Sequence, residues 1–380
     1  MKLASSESWA VVPAGAATWL DAGNPIERID IIVSTRKLNR IIEHEPADLV
    51  AITEAGVTLG DFNNELAIRG QWLPLDSPDD GRATIGGVVA TGMGGAQQLG
   101  YGPPRRHVIG MKVVLADGTL IKVGGRVVKN VAGYDLCKLF TGSYGTLGVI
   151  AEVNFKLRPL PFETRTLLAW GERDALLKVA QRVMNARLFP VAVELVSPRF
   201  AVEAELAEGK HNLLLLRFAG SSTAVMHQTQ VAGGIVGDGT RGSLVSDDAK
   251  LWRNLAAVPI KFPQELACRV GVRPADVAGY LKKLDESDYA SEFMWHAGIG
   301  DGRIRLIDPT KRTDDESITL VQSLRAEAET LGGALMIENA SPEIKSRVNA
   351  FGSFGDSAAM MARIKRQLDP NQIYSPGRFE

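Results

Sequence analysis

Ala83-Thr84-Ile85-Gly86-Gly87-Val88-Val89-Ala90-Thr91-Gly92-Met93-Gly94-Gly95 is the stretch that decides how the rest of the chain is read. Thr84 is an N-cap residue type ahead of a short apolar run, so a helix starting here is expected to aim its first N–H groups outward. Gly86 and Gly87 remove the side chains that would keep an anion from those donors. Glycine costs conformational entropy, and a segment this rich in it is expected where bare backbone must meet a ligand. The bias extends beyond the stretch: 16 of the 39 glycines fall in residues 81–150. A long nucleotide cofactor is the ligand this pattern favours; the competing reading is a region merely rich in turns.

Working outward, two further small-residue turns flank the stretch. Upstream, the apolar run 9–12 leads into Pro13, Ala14, Gly15, Ala16, Ala17 and Thr18, a turn able to offer N–H donors to a diphosphate. Downstream, Gly142-Ser143-Tyr144-Gly145-Thr146-Leu147-Gly148-Val149-Ile150 opens a strand whose backbone can pair with the edge of a flat base. That strand, 149–157, alternates apolar and polar residues and reads as half-buried. Residues 48–56 read as a buried strand, followed by Thr58 as N-cap with Asp61 three residues on and an apolar stripe of Leu59, Phe62 and Leu66. Asp117-Gly118 turns one strand into another within 108–123.

Motifs that would point elsewhere are missing. Gly92-Met93-Gly94 fails the dinucleotide fingerprint because position 97 is Gln, and there is no phosphate-binding loop ending in Gly-Lys-Ser/Thr and no zinc-protease or C-x-x-C pattern. With 43 basic against 44 acidic residues the formal charge is −1, which argues against nucleic-acid or membrane-surface partners. Cys137 and Cys268 are the two cysteines. Since an iron-sulfur cluster takes about four thiolates, the chain cannot hold one alone. No metal is expected. No run approaches the roughly 18 apolar residues of a membrane span, so the expected location is cytoplasmic, with any membrane association through partners.

At 380 residues, 45% hydrophobic and 23% charged, the chain has room for two or three domains. Arg158-Pro159-Leu160-Pro161 breaks the pattern, giving a first domain at 1–160, a second at 161–340 and a terminal segment, 341–380, packing back toward the first. In the second block strands are expected at 164–169, 191–196 and 213–219 with helices at 173–187 and 222–233. A second set has strands at 266–271, 292–297, 303–308 and 334–338 with helices at 275–285 and 315–331. Each set reads as a split βαβ unit, hence an antiparallel sheet covered by helices on one face. The fold class is α+β.

With QWLPLDSP (71–78, containing Asp76), ATIGGVVATG, GGRVVKNVAGYDLCKLFTGSYGTLGVI and LDPNQIYSPGRF in view, the sequence resembles the vanillyl-alcohol-oxidase, or PCMH-type, flavoprotein family, and within it the FAD-binding subunits of bacterial glycolate oxidases. The resemblance covers residues 48–161 strongly, the tail moderately and the middle weakly. It implies a PCMH-type FAD-binding domain plus a second α+β domain. The 13–18 turn and Thr84, Ile85, Gly86, Gly87, Ala90, Thr91, Gly94 and Gly95 would take the pyrophosphate, with Asp76 beside them. Gly145, Thr146, Gly148, Val149 and Ile150 would line the adenine end, with the flavin ring between the domains. It further implies a small 2-hydroxy acid substrate, a larger FAD-linked glycolate oxidase subunit and an iron-sulfur subunit as partners. The family's first loop is richer in glycine, and its pattern has a longer stretch ahead of that loop, so the start is expected to be trimmed or truncated. Covalently flavinylated relatives carry a His in the loop; with none here, non-covalent FAD is expected.

Catalytic candidates are fewer. His296 lies in Trp295-His296-Ala297-Gly298-Ile299-Gly300-Asp301-Gly302-Arg303-Ile304-Arg305, similar to the H-A-G-D-G-N-x-H turn of D-2-hydroxy-acid dehydrogenases but with Arg in place of the second His. It can be a base or a structural hairpin residue. Arg303, with Arg305, can hold a carboxylate by paired hydrogen bonds or stand exposed on a strand. Tyr134 and Lys129 can face the flavin, or Lys129 can neutralise charge near it; alternatively Asp135 caps the next helix and Tyr134 packs beneath it. Three functions remain open: a glycolate oxidase subunit, a flavin-loaded relay or assembly subunit, and a free-standing D-lactate-type dehydrogenase.

Overall fold

A computed structural model describes residues 1–78, 81–125, 134–237, 240–286 and 293–379. The chain packs as two compact units, one made of Met1–Gly95, Gly102–Leu160 and Ser353–Glu380, the other of Ala96–Tyr101 and Pro161–Gly352. The helix Pro342–Arg347 thus belongs with the second unit.

Among the described residues the first unit has nine strands: β1 Val11–Ala14, β2 Ile31–Ser34, β3 Ile41–Glu45, β4 Val50–Glu54, β5 Gln71–Trp72, β6 Val108–Val114, β7 Leu120–Gly124, β8 Val149–Lys156 and β9 Arg158–Pro159. Five of them form an antiparallel sheet in the order β3-β4-β8-β6-β7, while β1 and β2 pair in parallel as a separate ribbon. Thr58 caps the helix Leu59–Ala67 by accepting the Asp61 N–H, as its sequence position dictates. The stripe Leu59, Phe62 and Leu66 is buried with Ile85, Val88, Val89, Val153 and Phe155. One expectation is corrected here. β8 is the central strand, not a half-buried one: Asn154 is 4% exposed and donates to the Gly125 carbonyl at 3.3 Å. Two register shifts against β6 break the alternation that the sequence displays.

In the second unit, β10 Glu163–Gly171, β11 Ala192–Val196, β12 Asn212–Gly220, β13 Arg241–Leu244, β14 Leu266–Gly271, β15 Met294–Gly298, β16 Arg303–Asp308 and β17 Ala334–Asn339 form one antiparallel sheet. Its order is β13-β10-β12-β11-β15-β16-β14-β17. Read inward from the two ends, the halves have matching connectivity and meet at the β11–β15 pair, which accounts for a repeat of element order without a repeat of residues. The helices Arg173–Asn185, Ser222–Val236, Val277–Glu286 and Asp314–Thr330 bury one face around Leu195, Leu216, Val270 and Leu306. The expectation of helices on one face alone is also corrected: Pro198–Glu203 and Asp248–Lys261 cover part of the other face through Phe200, Trp252 and Leu255.

Candidate functional site: a cleft of bare backbone

Within the first unit, three turns of small residues converge on a cleft with a cavity volume of about 100 Å³. Of the residues singled out in the sequence, Pro13, Ala14, Gly15, Ala16, Ala17, Thr18, Thr84, Gly86, Gly87, Ala90, Thr91, Gly145, Gly148, Val149 and Ile150 line it. The turns hold one another by backbone approach. A Cβ at Gly15 would stand 2.0 Å from the Thr84 hydroxyl oxygen, and one at Gly148 would stand 2.6 Å from Val113 Cγ1. The Tyr144 N–H donates to the Ala90 carbonyl at 2.7 Å, and Gly142 to Val89 at 2.9 Å.

Where the donors lie differs from the sequence reading. In the helix Ile85–Thr91 the Ile85 N–H is spent on the Val57 carbonyl and that of Gly86 on Ala55, while Gly87 turns to the Thr84 side chain. This helix start is tied to the end of β4, so its first N–H groups do not point outward. Gly86 is glycine for that packing, since a Cβ there would meet Ala55 Cβ at 2.9 Å. Gly87 is different: its Cβ would meet only the Thr84 hydroxyl, at 3.3 Å. The unspent donors are in the first turn instead. Among the described residues, the N–H groups of Gly15, Ala16, Ala17, Thr18 and Trp19 make no hydrogen bond to protein. Ala17 sits at φ +62, the left-handed conformation that lets successive N–H groups converge on an anion. A run of five free donors suits a diphosphate and leaves the group's fit to this chain intact.

Several expected residues stand behind the cleft. Asp76 accepts the Gly95 N–H at 2.9 Å, and a Cβ at Gly95 would overlap the Asp76 carbonyl, so the pair braces the loop. Ile85 is fully buried, and Gly94 and Thr146 are not part of the lining; the Thr146 hydroxyl donates to the Ser143 carbonyl at 2.7 Å. Tyr134 is 96% exposed, which corrects the reading that it packs beneath the next helix, whereas Asp135 does cap that helix. Lys129 lies outside the described residues.

Arg378, Ser375, Tyr144, Thr35 and Trp19 also line the cleft and were not singled out. Arg378 comes from the LDPNQIYSPGRF tail, whose role was expected but whose cation was not. Asp369, fully buried, accepts the N–H groups of Ile373 and Tyr374 at 3.0 and 2.8 Å. Lys365 donates to the carbonyls of Thr146 and Tyr374, both at 2.8 Å, and the tail runs along β1 through Val11 and Ser375.

The other candidates share a polar stripe on the second unit's sheet. Glu194 on β11, His296 on β15, Arg305 on β16 and Arg269 on β14 occupy one face by the two-residue period. His296 Nδ1 is 2.9 Å from a Glu194 oxygen, and Glu194 is 1% exposed. Arg303 is paired with Asp301, whose carboxyl burial pushes up in spite of that partner. Arg305 binds Glu338 at 2.7 and 3.2 Å, with Arg269 at 3.5 Å. Burial alone would raise the Glu338 carboxyl, but Arg305 and Arg269 together bring it down to about 2. Among the described residues no cluster of His, Cys, Asp or Glu is arranged to hold a metal ion. Burial raises both thiols, Cys137 to about 11 and Cys268 to about 12, so they sit as inert core groups.

A family described as FAD binding domain matches residues 1–124. Over 406 residues the chain is 27% identical to a D-2-hydroxyglutarate dehydrogenase of Xanthomonas citri pv. viticola, covering 100% of this chain and 86% of that one. It is 27% identical to glycolate oxidase subunit GlcD of Bacillus subtilis, covering 97% and 83%, and 28% identical to a D-lactate dehydrogenase of Archaeoglobus fulgidus, covering 100% and 87%. Among solved structures, p-cresol methylhydroxylase with substrate bound superposes with a TM-score of 0.73 at 16% identity, over 99% of this chain and 85% of that one. No helix among the described residues is long and apolar enough to cross a membrane. The cofactor is FAD, residues 1–124 match an FAD-binding domain, and the chain shares the fold of p-cresol methylhydroxylase.

Proposed function

We propose that this chain is the FAD-binding subunit of a complex that oxidises a 2-hydroxy acid of the glycolate class to the 2-oxo acid. A larger FAD-linked subunit and an iron-sulfur subunit, in a cytoplasmic setting, are part of the proposal. The observation that carries it is the cleft: five free donors on a turn of small residues, matched to a dinucleotide with two phosphates. Bound FAD would supply the hydride acceptor, and the protein's own part is to hold and orient it. The turn at 13–18 carries no His, Cys or Tyr that could anchor a flavin, which supports non-covalent attachment.

In the second unit, His296 is the residue whose surroundings suit proton transfer. Glu194, accepting from Nδ1–H, would fix the ring tautomer and leave the Nε2 lone pair to take a proton from an alcohol. Arg303 and Arg305 are already occupied by Asp301 and Glu338, so a substrate carboxylate would have to displace a buried partner. That self-neutralised stripe supports a division of labour in which the larger subunit carries the main substrate site. The alternative, a free-standing D-lactate-type dehydrogenase, is supported by the full-length similarity to enzymes so named. Anaerobic titration of the purified chain separates them. On the subunit reading, glycolate and D-lactate leave the flavin band of the lone chain intact; bleaching by either acid within seconds would establish the alternative.

A further inference from the structure

Arg378 is the one charged side chain among the described residues lining the cleft. It is 6% exposed, and the carboxylate that acts on its charge is that of Asp21, against a larger opposing effect of burial. Its Nη1 donates to the carbonyls of Ala22 and Asn24 at 2.6 and 2.9 Å, and its Nη2 to that of Leu20 at 2.7 Å. Those carbonyls continue the turn whose free N–H groups begin at Gly15. Three of the five guanidinium donors therefore fix the turn's far side, and the charge, disfavoured by burial, is only partly offset by Asp21 on the same turn. Burying a cation is costly, the Asp21 charge does not outweigh that burial, and an anion seated in the same cleft would offset the remaining cost.

The tail holds this cation in a set position. The Val11 N–H donates to Ile373 at 2.7 Å and the Ser375 N–H to Val11 at 3.0 Å, so the segment is registered against the strand that feeds the turn. The Glu27 N–H donates to Pro376 at 3.0 Å. We infer that Arg378 is a cofactor-positioning residue: it serves as the counter-charge to the diphosphate of FAD, and the 369–379 segment is a clasp that couples cofactor affinity to the closed turn. This rests on the reading of the cleft as the FAD site.

Apoprotein of the full chain, wild type and Arg378→Gln, is titrated with FAD, ADP and adenosine at low and high salt. Gln keeps amide donors for the carbonyls but removes the charge. The expected result is a loss of roughly thirtyfold in affinity for FAD and ADP, with adenosine unchanged and the salt dependence of ADP binding flattened. Arg378→Lys should recover most of the ADP affinity. Equal ADP affinity and equal salt dependence in wild type and Arg378→Gln would overturn the inference while leaving the cleft assignment standing. A loss shared equally by ADP and adenosine would also overturn it, since that is the mark of a purely structural role. If the Gln variant does not fold, the Lys variant decides: ADP binding weakened as much as adenosine binding counts against the charge. Wild-type apoprotein that takes up no FAD would instead sink the cleft reading itself.

Discussion

The cleft of the first unit and the polar stripe of the second are built on opposite principles. In the cleft nearly every side chain is small or absent, five N–H groups among the described residues are unspent and the charge of one buried cation is only partly offset, by Asp21. Along the stripe the side chains are large and charged, yet Glu194–His296, Asp301–Arg303 and Glu338 with Arg305 and Arg269 satisfy one another. A site that waits for a ligand leaves polar groups open at some cost in stability; one that closes on itself gains stability and offers less to a ligand. The contrast places the certain chemistry, holding FAD, in the first unit and makes the second unit's part in turnover the point to test.

The sharpest way to break the contrast is Gly87→Asp. A side chain at Gly87 meets little but the Thr84 hydroxyl, so the fold should tolerate it while the carboxylate confronts the phosphates. FAD affinity should fall about 100-fold or more, the size expected for opposed like charges, with the apoprotein melting temperature near wild type. Flavin retained at full occupancy after gel filtration would refute the phosphate assignment.

Glu338→Ala tests the other side. Leaving Arg305 and Arg269 unpaired in a buried setting should cost about 3–5 kcal/mol in urea unfolding of the second unit, yet leave FAD affinity unchanged. An unfolding midpoint within error of wild type would mean the stripe is not self-stabilising. The same residue predicts an acid dependence. Its folded-state pKa is lowered from 4.5 to about 2, so its stabilisation is complete above the unfolded value and is lost as pH falls from about 4.5 through about 2. The Glu338→Ala chain should lack that component between those pH values. The smallest effect is expected at Ala17, held at φ +62. Ala17→Gly relieves a left-handed alanine and should stabilise the apoprotein by about 1 kcal/mol, read as a rise in melting temperature. A fall would show that the turn is not strained.

Much of the second unit was legible because its elements are marked over whole segments, by an unbroken apolar run at 213–216 and a helical period over 315–331. The helices Pro198–Glu203 and Asp248–Lys261 were not, because their apolar faces are short and Pro259 lies within the second. In the site, glycine density located the three turns, yet it could not say which turn keeps its donors. Gly86 and Gly87 look alike in the sequence; one packs on Ala55 and the other opens to the cleft. Arg378 gave no signal beyond a Pro-Gly turn before a basic residue, since its meaning depends on carbonyls more than 350 positions away.

By itself, then, the sequence determined that bare backbone must meet a ligand, that charge and cysteine content exclude several other chemistries, and that two differently patterned regions share one chain. Only the tertiary structure decided which N–H groups are already spent, which cation is buried, and that the arginines beside His296 are matched with carboxylates. The reason is that composition and period report how residues meet solvent or core, whereas hydrogen-bond saturation and charge pairing depend on what distant segments bring to the same place.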